Sequence, residues 1–254
     1  MTEVLRKQRL LVDDGLQDKN VLRRYFDTAK FVLLLQTKSL FFCRADLLQD
    51  KFEGAFTRSI KELIDSAFGS NNISSTAEEF KKSLRERIFL NCWSLGLDDN
   101  MAMWKMYGGH DYAVAITTTV GQLREAIESY LDSNKKKRSY HELGGFMIKP
   151  VQYVKHWRDP KLDINPYSNI FRYKVTAYEF EQEVRVILDR YHETVDQAPT
   201  DNGVSIGIDL NKFLRSVVIS PDAPDWFHDL IRKLTEKYGV NVEVRRSMLS
   251  FDPL

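Results

Sequence analysis

The sequence predicts an α+β fold: a single domain over residues 1–254, with a mixed or antiparallel central sheet flanked by helices and a C-terminal β-α-β element. Three observations carry that expectation. Alternating apolar runs and helical-period runs are interspersed without the strict alternation of a doubly wound sheet. The C-terminal third places a strand at Leu214 to Ser220, a turn at Pro221 and Pro224, a helix bearing Trp226, Phe227, Leu230, Ile231 and Leu234, a stop at Gly239 and a strand at Val240 to Val244, which is a β-α-β unit. A composition of 43% hydrophobic and 12% aromatic residues over 254 positions suffices for one full core.

The remaining elements follow in chain order. Residues 1–19 read as an extension ahead of a core over 20–248. Val21 to about Leu35, with Val21, Leu22, Tyr25 and Phe26 leading a dense apolar end, predicts a helix, followed by a strand at Ser39 to Phe42. Ile60, Leu63, Ile64 and Phe68 recur at helical spacing, and residues 68–76 form a loop. Ser75-Thr76-Ala77-Glu78 has the form of a capping box ahead of a helix that turns Phe80, Leu84 and Ile88 inward. A strand is expected from Ile88 to Trp93. Asp98-Asp99-Asn100 then caps a short helix, Met101 to Tyr107, stopped by Gly108-Gly109. Tyr112 to Thr117 alternates as a strand, Leu123, Ile127, Tyr130 and Leu131 form a helical stripe, and 132–142 is a loop containing Lys135-Lys136-Lys137-Arg138. Strands are expected at Val151 to Val154, across Tyr173 to Leu188, and at Val204 to Ile208.

Charge and composition exclude several classes of function. Lys+Arg 37 against Asp+Glu 36 gives a net charge of +1, so no global field favours nucleic acid, and the basic loop is the one local exception. Two cysteines, Cys43 and Cys92, and five histidines show no metal-ligand spacing, so no metal is expected. The longest aliphatic-aromatic run, Phe31 to Leu35, is far short of a membrane span. The expectation is a cytoplasmic protein, with nothing in the sequence to fix its oligomeric state.

Four stretches mix charge, small polar groups and aromatics where a plain core would not. Arg23-Arg24-Tyr25-Phe26 reads first as a helix turn with outward cations. Asp50 and Glu53 read as an acidic helix start, which favours the helix dipole, or as an acidic cluster for a substrate or cation. Asn91-Cys92-Trp93-Ser94 precedes Met103-Trp104-Lys105-Met106-Tyr107, where Trp104 and Tyr107 fall three apart on one helical face. Core packing is the plainer account of that aromatic surface, and a pocket wall that stacks a flat ring is the other. Last comes Glu181-Gln182-Glu183-Val184-Arg185. On a strand, Glu179, Glu181, Glu183 and Arg185 share one face. Adjacent carboxylates there are roughly 7 Å apart and repel unless a cation, a partner or water offsets them. Pairing with Arg185, Arg172 or Lys174 at the surface is the plain reading, and a rigid carboxylate site is the functional one.

The order of these stretches resembles the bacterial family catalogued as domain of unknown function 2971, from about Arg23 to Ser247. The shared pattern is a basic-Tyr pair, Asp-x-Phe-Glu, Cys-Trp-Ser, Met-Trp-x-x-Tyr-Gly and Glu-x-Glu-x-Arg. Where that family tends to read Asn-Asp-Pro-Phe-Glu, this chain has Gln49-Asp50-Lys51-Phe52-Glu53. The chain also resembles ADP-ribosyltransferases of the Arg-Ser-Glu type. That resemblance implies NAD as the cofactor, Arg24 as the phosphate grip, with Tyr25 beside it among the ligand-binding residues, and Ser94 as the strand-bracing serine. It makes Glu183 the catalytic carboxylate with Glu181 beside it and Trp104 or Tyr107 the ring platform. From its place two residues on along the same face, Arg185 is expected to hold Glu183 ionised and to join the ligand-binding residues. Cys-Trp-Ser departs from the Ser-Thr-Ser of such enzymes, and a helical Arg24 departs from their early strand. Two alternatives stand beside it. One is a metal-dependent nuclease or hydrolase using Asp50, Glu53, Glu181 and Glu183. The other is a non-catalytic sensor of a nucleotide-like ligand in a defence or stress system.

Overall fold

A computed structural model describes residues 9–50, 52–109, 111–134, 144–191 and 201–251. Among them the chain runs β1 (Leu10–Val12), β2 (Val21–Asp27), α1 (Thr28–Thr37), β3 (Ser39–Arg44), α2 (Arg58–Ser70), α3 (Ala77–Arg85), β4 (Ile88–Leu95), β5 (Ala113–Thr119) and α4 (Val120–Asn134). It continues through β6 (Gly145–Pro150), β7 (Gln152–Val154), β8 (Tyr173–Val175), β9 (Glu183–Asp189), β10 (Gly203–Gly207), β11 (Ser216–Ile219), α5 (Asp225–Lys237) and β12 (Glu243–Arg246). Helices and mixed strands are interspersed, and the fold is α+β. The described residues form two compact units. The first takes Met1–Asp13, Phe41–Cys92 and Leu131–Val204, and the second takes Asp14–Leu40, Trp93–Tyr130 and Ser205–Leu254.

In the first unit β9 is buried along its whole length, as the run Val184, Val186, Ile187 and Leu188 dictates. It pairs antiparallel with β6, Phe146 opposite Leu188 and Ile148 opposite Val186, and β6 in turn pairs parallel with β1. Thus Leu10–Val12, from the segment expected to precede the core, are strand residues. The strand Gly145–Pro150 was not anticipated, because its sequence lacks alternation. Helices α2 and α3 bury Ile60, Ile64, Phe80 and Leu84 in a cluster with Phe171, Met147 and Ile187. The capping box of α3 falls one residue later than its sequence suggests, with Thr76 as the cap and Glu79 returning the bond.

In the second unit β2 pairs antiparallel with β5 along its full length and with the end of β4, while β11 joins antiparallel β5 to parallel β12. The β11-α5-β12 unit is the predicted C-terminal β-α-β. Two expectations are corrected here. Val21–Asp27 is a strand rather than the start of a helix. Its Val, Tyr and Phe favour a pleated surface, and Asp27 ends it by capping α1, accepting from the Lys30 amide at 2.8 Å. The Met101 helix lasts one turn and then widens to a π-type turn over Trp104–Gly108. Trp104 is therefore buried at 2% exposure and Tyr107 is 42% exposed, so the two do not share one face.

A third correction bears on the acidic segment. The expected continuous strand from Tyr173 to Leu188 is broken: β8 ends at Val175, a 3₁₀ turn runs over Thr176–Glu181, and Gln182 adopts the left-handed conformation at φ 43°. Only Glu183 and Arg185 share a strand face. Glu179 and Glu181 lie on the turn, because Gln182, the one polar residue on the expected apolar face, marks where the pleat fails. The basic loop Lys135 to Arg138 lies outside the described residues.

Candidate functional site

The sequence-derived candidates divide between the units: Asp50, Glu53, Glu181, Glu183 and Arg185 in the first, Arg24, Tyr25, Ser94, Trp104 and Tyr107 in the second. In the first unit four of them converge with Lys174 in a buried ionic cluster. Glu183 opens β9 and Arg185 follows two residues later, so both project from the same face. The Arg185 guanidinium forks onto Glu183, Nε donating to Oε1 at 2.8 Å and Nη2 to Oε2 at 2.9 Å. Nη2 also donates to Glu53 Oε1 at 2.8 Å and Nη1 to the Phe171 carbonyl at 2.8 Å. Lys174, on β8, donates to Glu181 Oε2 at 2.5 Å and Glu183 Oε2 at 3.1 Å, with Glu53 Oε1 3.6 Å away and the Tyr178 ring centre 4.6 Å away.

Glu53 does not begin a helix, contrary to the acidic helix-start reading. It sits in a turn in which Asp50 Oδ1 accepts from the Phe52 amide at 2.9 Å and the Glu53 amide reaches the Asp50 carbonyl at 3.3 Å. Gly54 holds that turn against the core. Its φ is +68°, and a Cβ there would stand 2.4 Å from Phe171 Cε1. The carbonyl of Phe171 binds Arg185, so the turn and the cluster are seated on one residue.

Burial alone would raise the Glu183 carboxyl, but the Arg185 guanidinium, its hydrogen bonds and Lys174 outweigh it and lower the group to about 2. Burial works against the charge on Lys174 as well, yet Glu183 and Glu53 hold it above its ordinary value. The Cys92 thiol is pushed well up, by burial first and then by the Glu183 charge, so it is no ready nucleophile. The Glu183 amide donates to the Tyr153 hydroxyl at 2.8 Å. Burial pushes that phenol up to about 12. Three carboxylates face two cations, so the cluster carries one formal negative charge in excess.

In the second unit, strand β2 turns neighbouring side chains to opposite faces. Arg23, not proposed from sequence, is buried in an ion pair with Asp99 and donates to the Leu97 carbonyl at 2.7 Å. Asp99 also accepts from the Ser247 hydroxyl and the Met248 amide. The alternation of a strand would have separated Arg23 from Arg24; the helical reading concealed it. Arg24 lies over two rings, Phe26 at 5.3 Å and Trp93 at 6.0 Å from their centres. Ser94, on β4, stands opposite Arg23 in the β2–β4 register. The Tyr25 hydroxyl accepts from the Asn100 amide at 3.3 Å, and its ring meets Trp104 edge-on, with centres 4.9 Å apart. Trp104 is therefore a core residue.

Among the described residues no group of three or more His, Cys, Asp or Glu side chains is placed to hold a metal ion, and no helix is long and apolar enough to cross a membrane. No protein-family model matches the chain, and no curated protein matches it. Solved structures of DarT from Thermus sp. 2.9 superpose on it weakly. The complex with carba-NAD+ gives a TM-score of 0.41 at 5% identity over 92% of this chain and 97% of that one. The complex with NAD+ gives 0.41 at 6% over 93% and 100%. The complex with ADP-ribosylated ssDNA gives 0.41 at 5% over 92% and 96%. At that TM-score and identity the likeness transfers neither chemistry nor residue roles to this chain.

Proposed function

We propose that the protein is a bacterial, cytoplasmic, NAD-dependent ADP-ribosyltransferase-like enzyme in which Glu183 is the catalytic carboxylate and Glu181 its neighbour. The observation that carries this reading is the state of Glu183: a carboxylate on the first residue of a buried strand, held at about 2 by Arg185 and Lys174, in a cluster with one negative charge in excess. NAD, when bound, supplies a glycosidic bond to a good leaving group, nicotinamide, and its ribose carbon gains positive charge as that bond lengthens. A carboxylate that stays ionised at every physiological pH and cannot swing away is preorganised to stabilise such charge, and needs no reorganisation to do so. Arg185 fixes its orientation through the fork. Lys174, bridging Glu181 and Glu183, keeps the two carboxylates together despite their repulsion. Within the second unit, Arg24 and Tyr25 on β2, Ser94 on β4 and the exposed Tyr107 are proposed separately as ligand-binding residues. Arg24 on a strand agrees with the Arg-Ser-Glu order.

The test is NAD turnover, followed as nicotinamide release and as transfer to a broad acceptor set, in wild type and Glu183→Gln. Loss of one preorganised charge predicts a fall of about 100-fold or more. Undiminished turnover in the variant removes the proposal. A second reading is favoured by one feature: both oxygens of Glu183 already accept from internal cations. A non-catalytic domain that binds a nucleotide would then bind NAD without releasing nicotinamide, and calorimetry beside the turnover assay separates the two.

A further inference from the structure

We propose that Glu53 supplies the hydrogen bond that positions the sugar of a ribose-bearing nucleotide, its Oε2 accepting from a ribose hydroxyl, while Glu183 acts on the reacting centre through its charge. This rests on the NAD reading above and says which oxygen of the cluster does the recognition. Glu183 is taken up by internal donors: Oε1 takes the Arg185 Nε–H, Oε2 takes both Arg185 Nη2 and Lys174 Nζ, and the Cys92 thiol donates to the same carboxylate. Glu181 accepts from Lys174 and is the less exposed of the acidic side chains, at 2%. Glu53 differs. Its Oε1 accepts from Arg185, yet its Oε2, in a residue 5% exposed, has no hydrogen-bond partner among the described residues.

An unpaired buried carboxylate oxygen loses its water and receives no donor in return, an exception that native proteins reserve for special sites. Arg185, fully buried, takes Oε1, while the side chains of Glu53 and Lys174 are each 6% exposed. The carboxylate is also carried differently from the other two. It rides on the Asp50–Gly54 turn, whose position is set by the contact of Gly54 with Phe171, whereas Glu183 is fixed by the β9 ladder. Glu53 is therefore the carboxylate of the cluster whose oxygen keeps an open acceptor among the described residues. A ribose hydroxyl donates one such bond and keeps its own oxygen free to accept from water or Lys174. Glu183 then keeps an electrostatic role, and Glu53 supplies the hydrogen bond that positions the sugar.

The experiment uses the full chain with Glu53→Gln and Glu183→Gln, each measured by calorimetric titration with NAD and by thermal unfolding. Replacing Oε2 by an amide N–H turns the acceptor into a donor, so Glu53→Gln should weaken NAD binding by about tenfold or more. Its Tm should fall by clearly less than that of Glu183→Gln, because the amide oxygen can keep the Arg185 bond and only one ionic hydrogen bond is weakened. Glu183→Gln, which loses the fork and the Lys174 bridge, should lower Tm by more than about 5 °C. Unchanged NAD affinity in Glu53→Gln overturns the proposal, as does a fall in Tm matching that of Glu183→Gln, which would make Glu53 a structural ion-pair partner. If the wild type gives no signal with NAD, the NAD reading fails, and titration with ADP-ribose and AMP decides the role of Glu53. Loss of a wild-type signal in Glu53→Gln sustains that role. A wild type that binds neither nucleotide overturns it.

Discussion

Arg185 offers five N–H donors, and four hydrogen bonds leave it: two to Glu183, one to Glu53 and one to the Phe171 carbonyl. A guanidinium with no exposed surface and that set of partners cannot be traded for another residue. Arg185→Ala leaves Glu53 and Glu183 buried without their main counter-ion and should cost about 3–5 kcal/mol, read as a shift in the urea midpoint. Arg185→Lys should recover only part of this, since an ammonium cannot fork onto both oxygens of Glu183. Measured charge pairing at the protein surface contributes about 0–1 kcal/mol. The burial of this cluster is what raises the stakes, and it replaces the surface pairing that the sequence alone suggested.

The Asp50–Gly54 turn and the 3₁₀ turn at Thr176–Glu181 deliver side chains to the cluster that no strand could. Gly54→Ala adds a methyl group where φ is +68° and Phe171 is in the way. It should destabilise the protein by about 1–3 kcal/mol and, by displacing Glu53, weaken nucleotide binding in calorimetry. At Gln182 the opposite holds: a non-glycine residue at φ 43° is strained, and Gln182→Gly should raise stability by up to about 1 kcal/mol. Removal of the Thr76 cap, Thr76→Ala, should cost about 1 kcal/mol and leave NAD binding alone. Elements with a strong period or a cap were legible in the sequence: α2, α3, β4, β5, α4 and the β11-α5-β12 unit all stand near where their residues place them. Glu183 and Arg185 were also legible as same-face partners. Glu53 was legible as one of an acidic set with Asp50, Glu181 and Glu183 but not as a partner of Arg185, which lies 132 residues away, a distance no local pattern encodes. Arg23 and Arg24 were misread together, since Val-Leu-Arg-Arg-Tyr-Phe satisfies a helix stripe and a strand pleat equally until the Asp27 cap is taken as a boundary.

Across the whole molecule the cluster bounds the pH range of stability. The Glu183 carboxyl is lowered in the folded state, so its contribution is fully present above its ordinary value of 4.5 and is lost as pH falls toward about 2. Urea midpoints should fall steeply across that interval in wild type, and less steeply in Glu183→Gln. Tyr153 acts at the other end. Its phenol is raised from 10.0 to about 12 by burial, so its contribution is present below pH 10 and lost as pH rises through 12. Each unit is assembled from three separate stretches of chain, and that interleaving sets a clock as well as a shape. During synthesis β1 emerges first and must wait for β6, and β5 must wait for β11. Neither unit can close before most of the polypeptide has left the ribosome. Such late, long-range pairing slows folding and leaves early strands unpaired meanwhile. Neither unit can be cut out as one continuous gene fragment.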